Sequence, residues 1–184
     1  IVYPGGIFGP KDPTPNLSDS MGMLTEILKR NLGLTASSAK LAMVDVRDVA
    51  NVCVGALEVE SKNARYHAWG ELVTMDQVID LVKKITDRNI RFYSTPLFLL
   101  DAMGTFGEVF TLATRIRLPF AKESMKMFTQ NARVNGPGKI DQSRANNDFG
   151  FQSISLEESL RDALLWLHQA GHLTDKQSGK LANI

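Results

Sequence analysis

Three histidines and one cysteine are the residues of this sequence best suited to metal binding or nucleophilic catalysis. His168 and His172 are four residues apart, a spacing that can place two metal ligands on one helix face. No third ligand stands near them in sequence, and both fall at the end of an apolar helical pattern, where an imidazolium interacts favourably with the helix dipole. We therefore expect surface roles for both and no metal site.

The remaining candidates for side-chain chemistry give weaker signals. Cys53 falls within an apolar pattern with helical spacing, which predicts a core position rather than a nucleophile. His67 lies in a β-prone segment and is interpreted as a structural or pocket-lining residue. The sequence shows no pattern of a Ser/His/Asp triad, a carboxylate pair or a zinc site. We therefore assign no catalytic residue and no metal ligand.

Glycine clusters are the other feature that can bind a ligand, because backbone amides approach phosphates and rings closely where no Cβ intervenes. Gly5, Gly6 and Gly9 do not form G-x-G-x-x-G, and Gly136–Lys139 lacks the spacing of a Walker loop. Ile1 to Tyr3 predict a strand, and the Pro4-Gly5-Gly6 cluster that follows predicts a tight turn. A turn at the carboxyl end of a strand is a common place for a ligand.

Composition excludes several functional classes. The 184 residues carry 21 basic and 20 acidic side chains, a net charge of +1, which gives no electrostatic basis for binding nucleic acid or an anionic membrane. One cysteine permits no internal disulfide, as expected in a reducing cytoplasm. The longest apolar stretch, 97–116, is interrupted by charged residues and glycines, which favours a buried or pocket-lining helix over a membrane span. We expect one soluble, cytoplasmic domain over residues 1–184.

Hydrophobic periodicity predicts helices separated by short strands, an α/β composition. Thr74-Met75-Asp76-Gln77 has the form of a capping box and predicts a helix start, and Asp45 or Asp48 is expected to cap the helix before it. The predicted helices cover residues 21–32, about 49–57, 75–86, about 97–116, 122–132 and 156–170, and the predicted strands cover 1–3, 40–46, 65–69 and 90–93. One buried stripe is predicted for the second helix, formed by Val49, Cys53, Ala56 and Leu57.

Four segments, in order, resemble the second half of the extended short-chain dehydrogenase/reductases. Tyr3–Pro10, YPGGIFGP, resembles the family's strand-and-turn RPG-x-V-Y-G-P, and 43–58 resembles its strand and helix around V-x-D-V-A. Residues 69–86 resemble its next capped helix, and 140–167 are similar to its C-terminal signature, d-x-s-k-A ending in a tryptophan-bearing helix. The pattern is most similar to members of the NAD-dependent epimerase/dehydratase group that are dihydroflavonol-reductase-like.

The resemblance implies a fold and an activity. The expected fold is the C-terminal portion of a doubly wound Rossmann-type α/β protein, a helix-rich substrate-binding lobe with a few short strands. The expected activity is that of an NAD(P)-dependent oxidoreductase acting on a small ketone, aldehyde or alcohol. Pro4, Gly5, Gly6 and Ile7 would contact the nicotinamide, while NAD or NADP would be bound mainly by an N-terminal half. A homodimer is compatible with this family.

Two departures from the family pattern refine these expectations. The family's T-G-x-x-G-x-x-G and Tyr-x-x-x-Lys motifs do not occur in this sequence, so we expect it to be a C-terminal portion that is inactive by itself. Leu41 stands where sugar-nucleotide members carry an arginine that binds the diphosphate, which favours an apolar carbonyl substrate. Phe92, Leu97, Phe98, Met103, Phe106 and Phe110 would suit an apolar pocket, or simply a core. The alternatives are a dinucleotide-sensing protein without catalysis and a sugar-nucleotide epimerase or dehydratase.

Overall fold

The protein is a mixed α/β structure in which three small sheets are covered by helices. A computed structural model describes residues 1–13, 17–36, 39–59, 64–114, 122–133 and 141–184. The predicted Gly136–Gly138 loop lies outside the described residues.

Seven short strands form the sheets, and most of the pairs are parallel. Strand β1 (Val2–Pro4) pairs with β5 (Tyr66–Ala68), and β3 (Leu32–Thr35) pairs with β7 (Arg91–Ser94), both parallel. Strand β2 (Gly6–Phe8) runs parallel to β4 (Lys40–Asp45), whose other edge pairs antiparallel with β6 (Glu71–Thr74). The first eight residues therefore contribute one strand to each of two sheets. This short segment pairs with β5 at its start and with β4 at its end.

Eight helices and a terminal 3₁₀ turn make up the rest of the described structure. They are α1 (Asp19–Arg30), α2 (Val46–Glu58), α3 (Met75–Thr86), α4 (Leu97–Thr114), α5 (Lys122–Arg133), α6 (Ser143–Phe149), α7 (Leu156–Gln169), α8 (Asp175–Ser178) and the turn Gly179–Asn183. The capping box at Thr74 is confirmed: its side chain accepts from the Gln77 amide, and the Gln77 side chain accepts from the Thr74 amide. Among the described residues, none of these helices is both long and apolar enough to span a membrane.

The main core lies between α1, α3 and α7 on one side and strands β2, β4 and β6 on the other. Its centre consists of fully buried aliphatic side chains, among them Leu28, Val82, Leu160 and Leu164. A smaller cluster joins β5 to α2 and α6 through Tyr66, Val52 and Ala145. This second cluster packs against one face of the β1–β5 pair. The side chains on the other face of the pair are not part of it.

Three local predictions were wrong. The Pro4-Gly5-Gly6 cluster is no tight turn, because Gly6 continues directly into β2. Helix α1 ends at Asn31 in the left-handed conformation, φ 54°, rather than at Gly33, which lies within β3. The buried residues of α2 are Asp48, Val52 and Gly55, whereas Cys53 and Leu57 are exposed. Apolar side chains cover a wide arc of that helix, opposite a polar side with Arg47, Asn51 and Glu58, so its periodicity does not tell which part of the arc faces the core.

Candidate functional site

The segment from Pro4 to Ile7 lies where the carboxyl end of β1 passes into β2. The Gly5 amide donates a hydrogen bond to the Ala68 carbonyl at the end of β5, with an N–O distance of 2.9 Å. Gly6 is then paired with Met43, and Ile7 with Val44. Backbone pairing to two sheets therefore fixes the course of these four residues, which is the requirement for a segment that must meet a ligand with its main chain.

Glycine is needed at this crossing because two other backbones approach it closely. A Cβ atom on Gly5 would lie 2.9 Å from the Ala42 carbonyl oxygen and 3.1 Å from that of Trp69, and one on Gly6 would lie 3.2 Å from the Ala42 oxygen. The opposite side is open, since Pro4, Gly6 and Ile7 are exposed. The segment is thus supported from behind and accessible in front.

Three aromatic side chains stand beside this segment on the β1–β5 pair. Tyr3 and His67 are directly opposite each other in register, and their rings stack with centroids 5.4 Å apart and an interplanar angle of 24°. Trp69 meets His67 edge to face, with centroids 6.4 Å apart. We call Tyr3, His67 and Trp69 the aromatic cluster. Its location agrees with the expectation that His67 is a structural or pocket-lining residue.

Gln142, just before α6, holds the backbone after β5 in place. Its side-chain oxygen accepts from the amides of Trp69 and Gly70 at 2.9 and 3.2 Å, and its amide nitrogen donates to the Gly70 carbonyl at 3.1 Å. Gly70 has φ +62°, and a Cβ there would collide with the Met43 carbonyl. No local sequence pattern predicts this role, because the partners are more than 70 residues apart.

The neighbouring carboxylate, Asp141, contributes negative charge near the cluster. Hydrogen bonds from the Ser143 side chain and amide lower the pKa of Asp141, and electrostatic attraction to His67 lowers it further. Asp141 therefore carries its charge at neutral pH.

A buried network of charged groups fixes the start of α2. Asp45 is the N-cap and accepts from the Arg47 amide at 2.8 Å, while the Arg47 guanidinium binds both Asp45 and, at 2.7 Å, Asp162 in α7. Ser159 donates a further hydrogen bond to Asp45. Burial alone would raise the pKa of Asp45, but the hydrogen bonds from Arg47 and Ser159 outweigh it and lower the pKa.

Asp48 has a structural role, but it is not the cap. Its Oδ2 accepts from the Ile154 amide at 3.0 Å, and its Oδ1 is buried without a hydrogen-bond partner. Burial raises the pKa of Asp48, and repulsion by Asp45 adds to the effect. Neither carboxylate is part of the open segment. Asp45 joins α2 to α7 through Arg47 and Ser159, and Asp48 joins α2 to the backbone at Ile154, just before α7.

The other sequence candidates lie apart from this site. His168 pairs with Asp175 at 2.9 Å, and His172 packs against Trp166. Within the described ranges, no group of three histidine, cysteine or acidic side chains is arranged to hold a metal ion. Cys53 lies on the exposed side of α2, which corrects its predicted core position.

The predicted apolar pocket is only partly assembled. Phe92 and Leu97 pack against the cores, whereas Phe98 and Phe106 are 73% and 66% exposed on α4. An open depression of about 510 Å³ beside α4 is lined by Asp101, Ala102, Thr105 and Phe106. The side chain of Phe110 lies outside the described residues.

Several solved structures share this fold, and some of them contain a bound NAD or NADPH. A UDP-glucuronic acid 4-epimerase from Bacillus cereus, in complex with UDP-glucuronic acid and NAD, is 12% identical with a TM-score of 0.59, and the match covers 92% of this chain and 45% of that one. The terminal R domain of the myxalamid PKS-NRPS pathway is 16% identical with a TM-score of 0.61, over 94% of this chain and 44% of the other.

A third structure, RMD from Pseudomonas aeruginosa complexed with NADPH, is 13% identical with a TM-score of 0.56, over 88% of this chain and 46% of the other. The chain has the fold of the C-terminal part of a Rossmann-type epimerase or reductase. It spans about half the length of the solved structures it resembles. No protein-family model and no curated protein sequence matches it.

This fold agreement confirms the predicted class, the C-terminal portion of a doubly wound α/β protein. At identities of 12–16%, the agreement extends to the fold and not to individual residues. The roles of Pro4, Gly5, Gly6 and Ile7 must therefore be argued from their geometry.

Proposed function

We propose that this chain forms the substrate-binding part of an NAD(P)-dependent oxidoreductase or epimerase, with Pro4, Gly5, Gly6 and Ile7 lying along the nicotinamide. The observation that carries the proposal is the exposed Pro-Gly-Gly backbone at the carboxyl end of a parallel strand, where α/β folds bind their ligands. Support comes from the solved structures of this fold whose titles name bound NAD or NADPH.

The nicotinamide would lie against the open side of this segment, and its carboxamide would be oriented by main-chain groups. The edge of β2 that does not pair with β4 leaves backbone groups around Ile7 available within the described sheet. The rest of the dinucleotide needs a glycine-rich turn and a helix N-terminus for its pyrophosphate. This sequence does not contain T-G-x-x-G-x-x-G, so those contacts belong to a dinucleotide-binding half of the enzyme.

For the substrate we propose an apolar ketone or aldehyde, or the matching alcohol. Leu41, on β4, pairs with Val73 on β6 and packs against both cores. No guanidinium is therefore available at this position for bidentate binding of a diphosphate. Exposed Phe98 and Phe106 on α4 supply an apolar wall instead.

A sugar-nucleotide substrate is the second candidate, favoured by the molecules bound in solved structures that share the fold. One of these structures contains UDP-glucuronic acid and another contains UDP-glucose. Titration with UDP, which contains the nucleoside diphosphate but not the hexose of a sugar nucleotide, separates the two. Binding of UDP to the chain at micromolar concentration would favour the second candidate, and binding only of apolar ketones would favour the first.

The cofactor site is tested by NMR titration of the ¹⁵N-labelled chain with NADH and, separately, with ADP-ribose, which lacks the nicotinamide. We expect millimolar NADH to shift the Gly5, Gly6 and Ile7 amides and ADP-ribose to leave them unchanged. We also expect weak binding and no NAD(P)H turnover by the chain alone, because the pyrophosphate contacts lie elsewhere.

A matched pair of variants makes the test specific. Gly6→Val should reduce the NADH-dependent shifts of the Gly5 and Ile7 amides because its Cβ, 3.2 Å from the Ala42 carbonyl oxygen, displaces the segment, while Gly22→Ala, where an added Cβ meets nothing within 4 Å, should leave them intact. Equal shifts with NADH and ADP-ribose, or shifts confined to other regions, would contradict the proposed site. Tight NADH binding without turnover by the complete enzyme would instead support a dinucleotide sensor.

A further inference from the structure

The aromatic cluster contains two of the four buried polar side-chain atoms that have no hydrogen-bond partner among the described residues. These are Nδ1 of His67 and Nε1 of Trp69; the other two are Asp48 Oδ1 and His172 Nε2. Buried polar atoms are nearly always paired in folded proteins, so each exception requires an explanation. Two exceptions in adjacent side chains at one strand end point to a common partner.

The backbone around the cluster, by contrast, is well paired. Gln142 bonds both Trp69 and Gly70, and Gly5 donates to Ala68. The main chain therefore holds the rings in place, while their buried nitrogens lack hydrogen-bond partners, the arrangement of a pre-organised site.

The chemistry of the unpaired atoms defines the partner. The indole nitrogen of Trp69 can only donate, so the partner must offer an acceptor, and Nδ1 of His67 can donate to the same atom in one tautomer. Tyr3, which is 39% exposed, extends the ring stack towards solvent and offers a flat apolar surface. Both nitrogens are buried, and burying an unpaired anion beside them would cost far more than burying a neutral acceptor, which favours a neutral carbonyl.

We propose that Tyr3, His67 and Trp69 form a binding site for a planar ring bearing a neutral carbonyl oxygen, which accepts from His67 and Trp69 while the ring stacks on Tyr3. The proposal rests on the proposed function and adds to it the side chains that recognise the carbonyl compound. Two sources share this chemistry: an aromatic ketone substrate, and the carboxamide-bearing ring of the nicotinamide. Because both nitrogens are buried, side chains of the aromatic cluster must move to admit the ring.

The experiment follows the indole N–H signals of the ¹⁵N-labelled chain, which has only Trp69 and Trp166. Acetophenone represents the ketone, nicotinamide the cofactor ring, and benzoate an anionic ring of similar size. We expect a saturable downfield shift of the Trp69 signal with acetophenone or nicotinamide and none with benzoate. The probe with the lower Kd identifies the source.

Trp166 is the internal control, because it also packs beside a histidine that has an unpaired nitrogen. Its signal should not move, and Trp166→Phe should bind the probe like the parent chain. Trp69→Phe, followed on the Gly70 amide, should raise the probe's Kd at least about tenfold, the factor expected for losing one hydrogen bond. Tyr3→Leu, which changes only the exposed ring, should also weaken binding and should fold normally.

The proposal is overturned if neither neutral probe moves the Trp69 signal at millimolar concentration, if both indoles move equally, or if benzoate binds more tightly than acetophenone. Since no probe contains the dinucleotide phosphates and acetophenone contains no cofactor at all, this result is independent of the NADH titration. Acetophenone binding can fail while the nicotinamide segment binds NADH, and the reverse.

Discussion

Arg47 in α2 and Asp162 in α7 are joined by an ion pair of 2.7 Å although 115 positions separate them in sequence. The same guanidinium also neutralises Asp45, whose side chain is fully buried, so one cation links the second helix to the seventh. This relationship makes the network sensitive to loss of the cation.

Replacing the cation should destabilise the fold strongly. We expect Arg47→Met to lower the free energy of unfolding by about 3 kcal/mol, because it leaves the Asp45 charge buried and unpaired. Asp162→Asn, which changes a carboxylate that is one-third exposed, should cost about 1 kcal/mol or less. Urea denaturation of both variants measures the difference. Equal effects would show that the burial of Asp45 is not decisive.

The two carboxylates at the start of α2 should respond to pH in opposite ways. The pKa of Asp45 is lowered on folding, so its contribution to stability is present at neutral pH and is lost as the pH falls through its folded pKa. The pKa of Asp48 is raised, so its contribution is greatest in acid and is lost as the pH rises through the raised pKa.

Amide substitutions separate these effects. Asp48→Asn removes a buried charge and keeps an acceptor for the Ile154 amide, so we expect it to be neutral or stabilising by about 1 kcal/mol at pH 7. That advantage should vanish below pH ~3.8, where an unfolded aspartate is also protonated. Asp45→Asn should destabilise at pH 7. Denaturation midpoints between pH 3 and 8 test both, and a large loss of stability for Asp48→Asn at pH 7 would contradict the assignment.

Gly70 and Gly150 form a matched pair for the corner after β5. Both have positive φ, +62° and +67°, but an added Cβ at Gly70 would collide with the Met43 carbonyl and one at Gly150 would meet nothing within 4 Å. Gly150→Ala should therefore cost only the conformational penalty of about 1–2 kcal/mol. Gly70→Ala should cost at least about 2 kcal/mol more, since a backbone must move. Similar melting temperatures for the two variants would count against this packing.

The single cysteine should react readily in the native state. Cys53 is exposed on α2, so we expect Ellman's reagent to modify it in the folded chain at a rate close to that in urea. A buried thiol would react only after unfolding. Native protection by more than about a hundredfold would restore the original expectation of a core cysteine.

We expect the chain to self-associate through two surfaces. One is the exposed apolar side of α2, defined by Val46, Val54 and Leu57, and the other is the edge of β1 that has no strand partner among the described residues. Leu57 is 87% exposed and Ile1 is 70% exposed. We expect Leu57→Lys and Ile1→Lys to reduce association without lowering the unfolding free energy by more than about 0.5 kcal/mol. Sedimentation velocity over a range of concentrations tests this, and a parent chain that stays monomeric at every concentration would exclude it.

Sequence patterns predicted the elements whose signals are local. The helix after Thr74 was found because its capping box acts within four residues, and α7 because its leucines form one clear stripe. Strand β2 was missed because two glycines after a proline resemble a turn. Only the pairing of Gly6 with Met43 and of Ile7 with Val44 holds this segment extended. The predicted buried side of α2 was wrong because its apolar arc is wider than the face that is buried.

The candidate site likewise has one part that could be predicted from the sequence and another that depends on the tertiary fold. Pro4 to Ile7 are contiguous, so their common placement could be predicted from the sequence. Gln142 and Asp141 reach Trp69 and His67 only through the tertiary fold, and no local pattern relates residues so far apart. Likewise Asp45 and Asp48 are equally plausible caps by residue type, and the distinction depends on Ile154 and Arg47.

The three hydrogen bonds of Gln142 also have a kinetic consequence. The corner at Trp69 and Gly70 cannot reach its final hydrogen bonding until the segment leading into α6 has arrived, after closure of a loop of more than 70 residues. Slow amide exchange at these two positions would therefore require the docked α6 segment. Transient undocking of that short helix would loosen the corner while the leucine-rich centre of the protein remained folded.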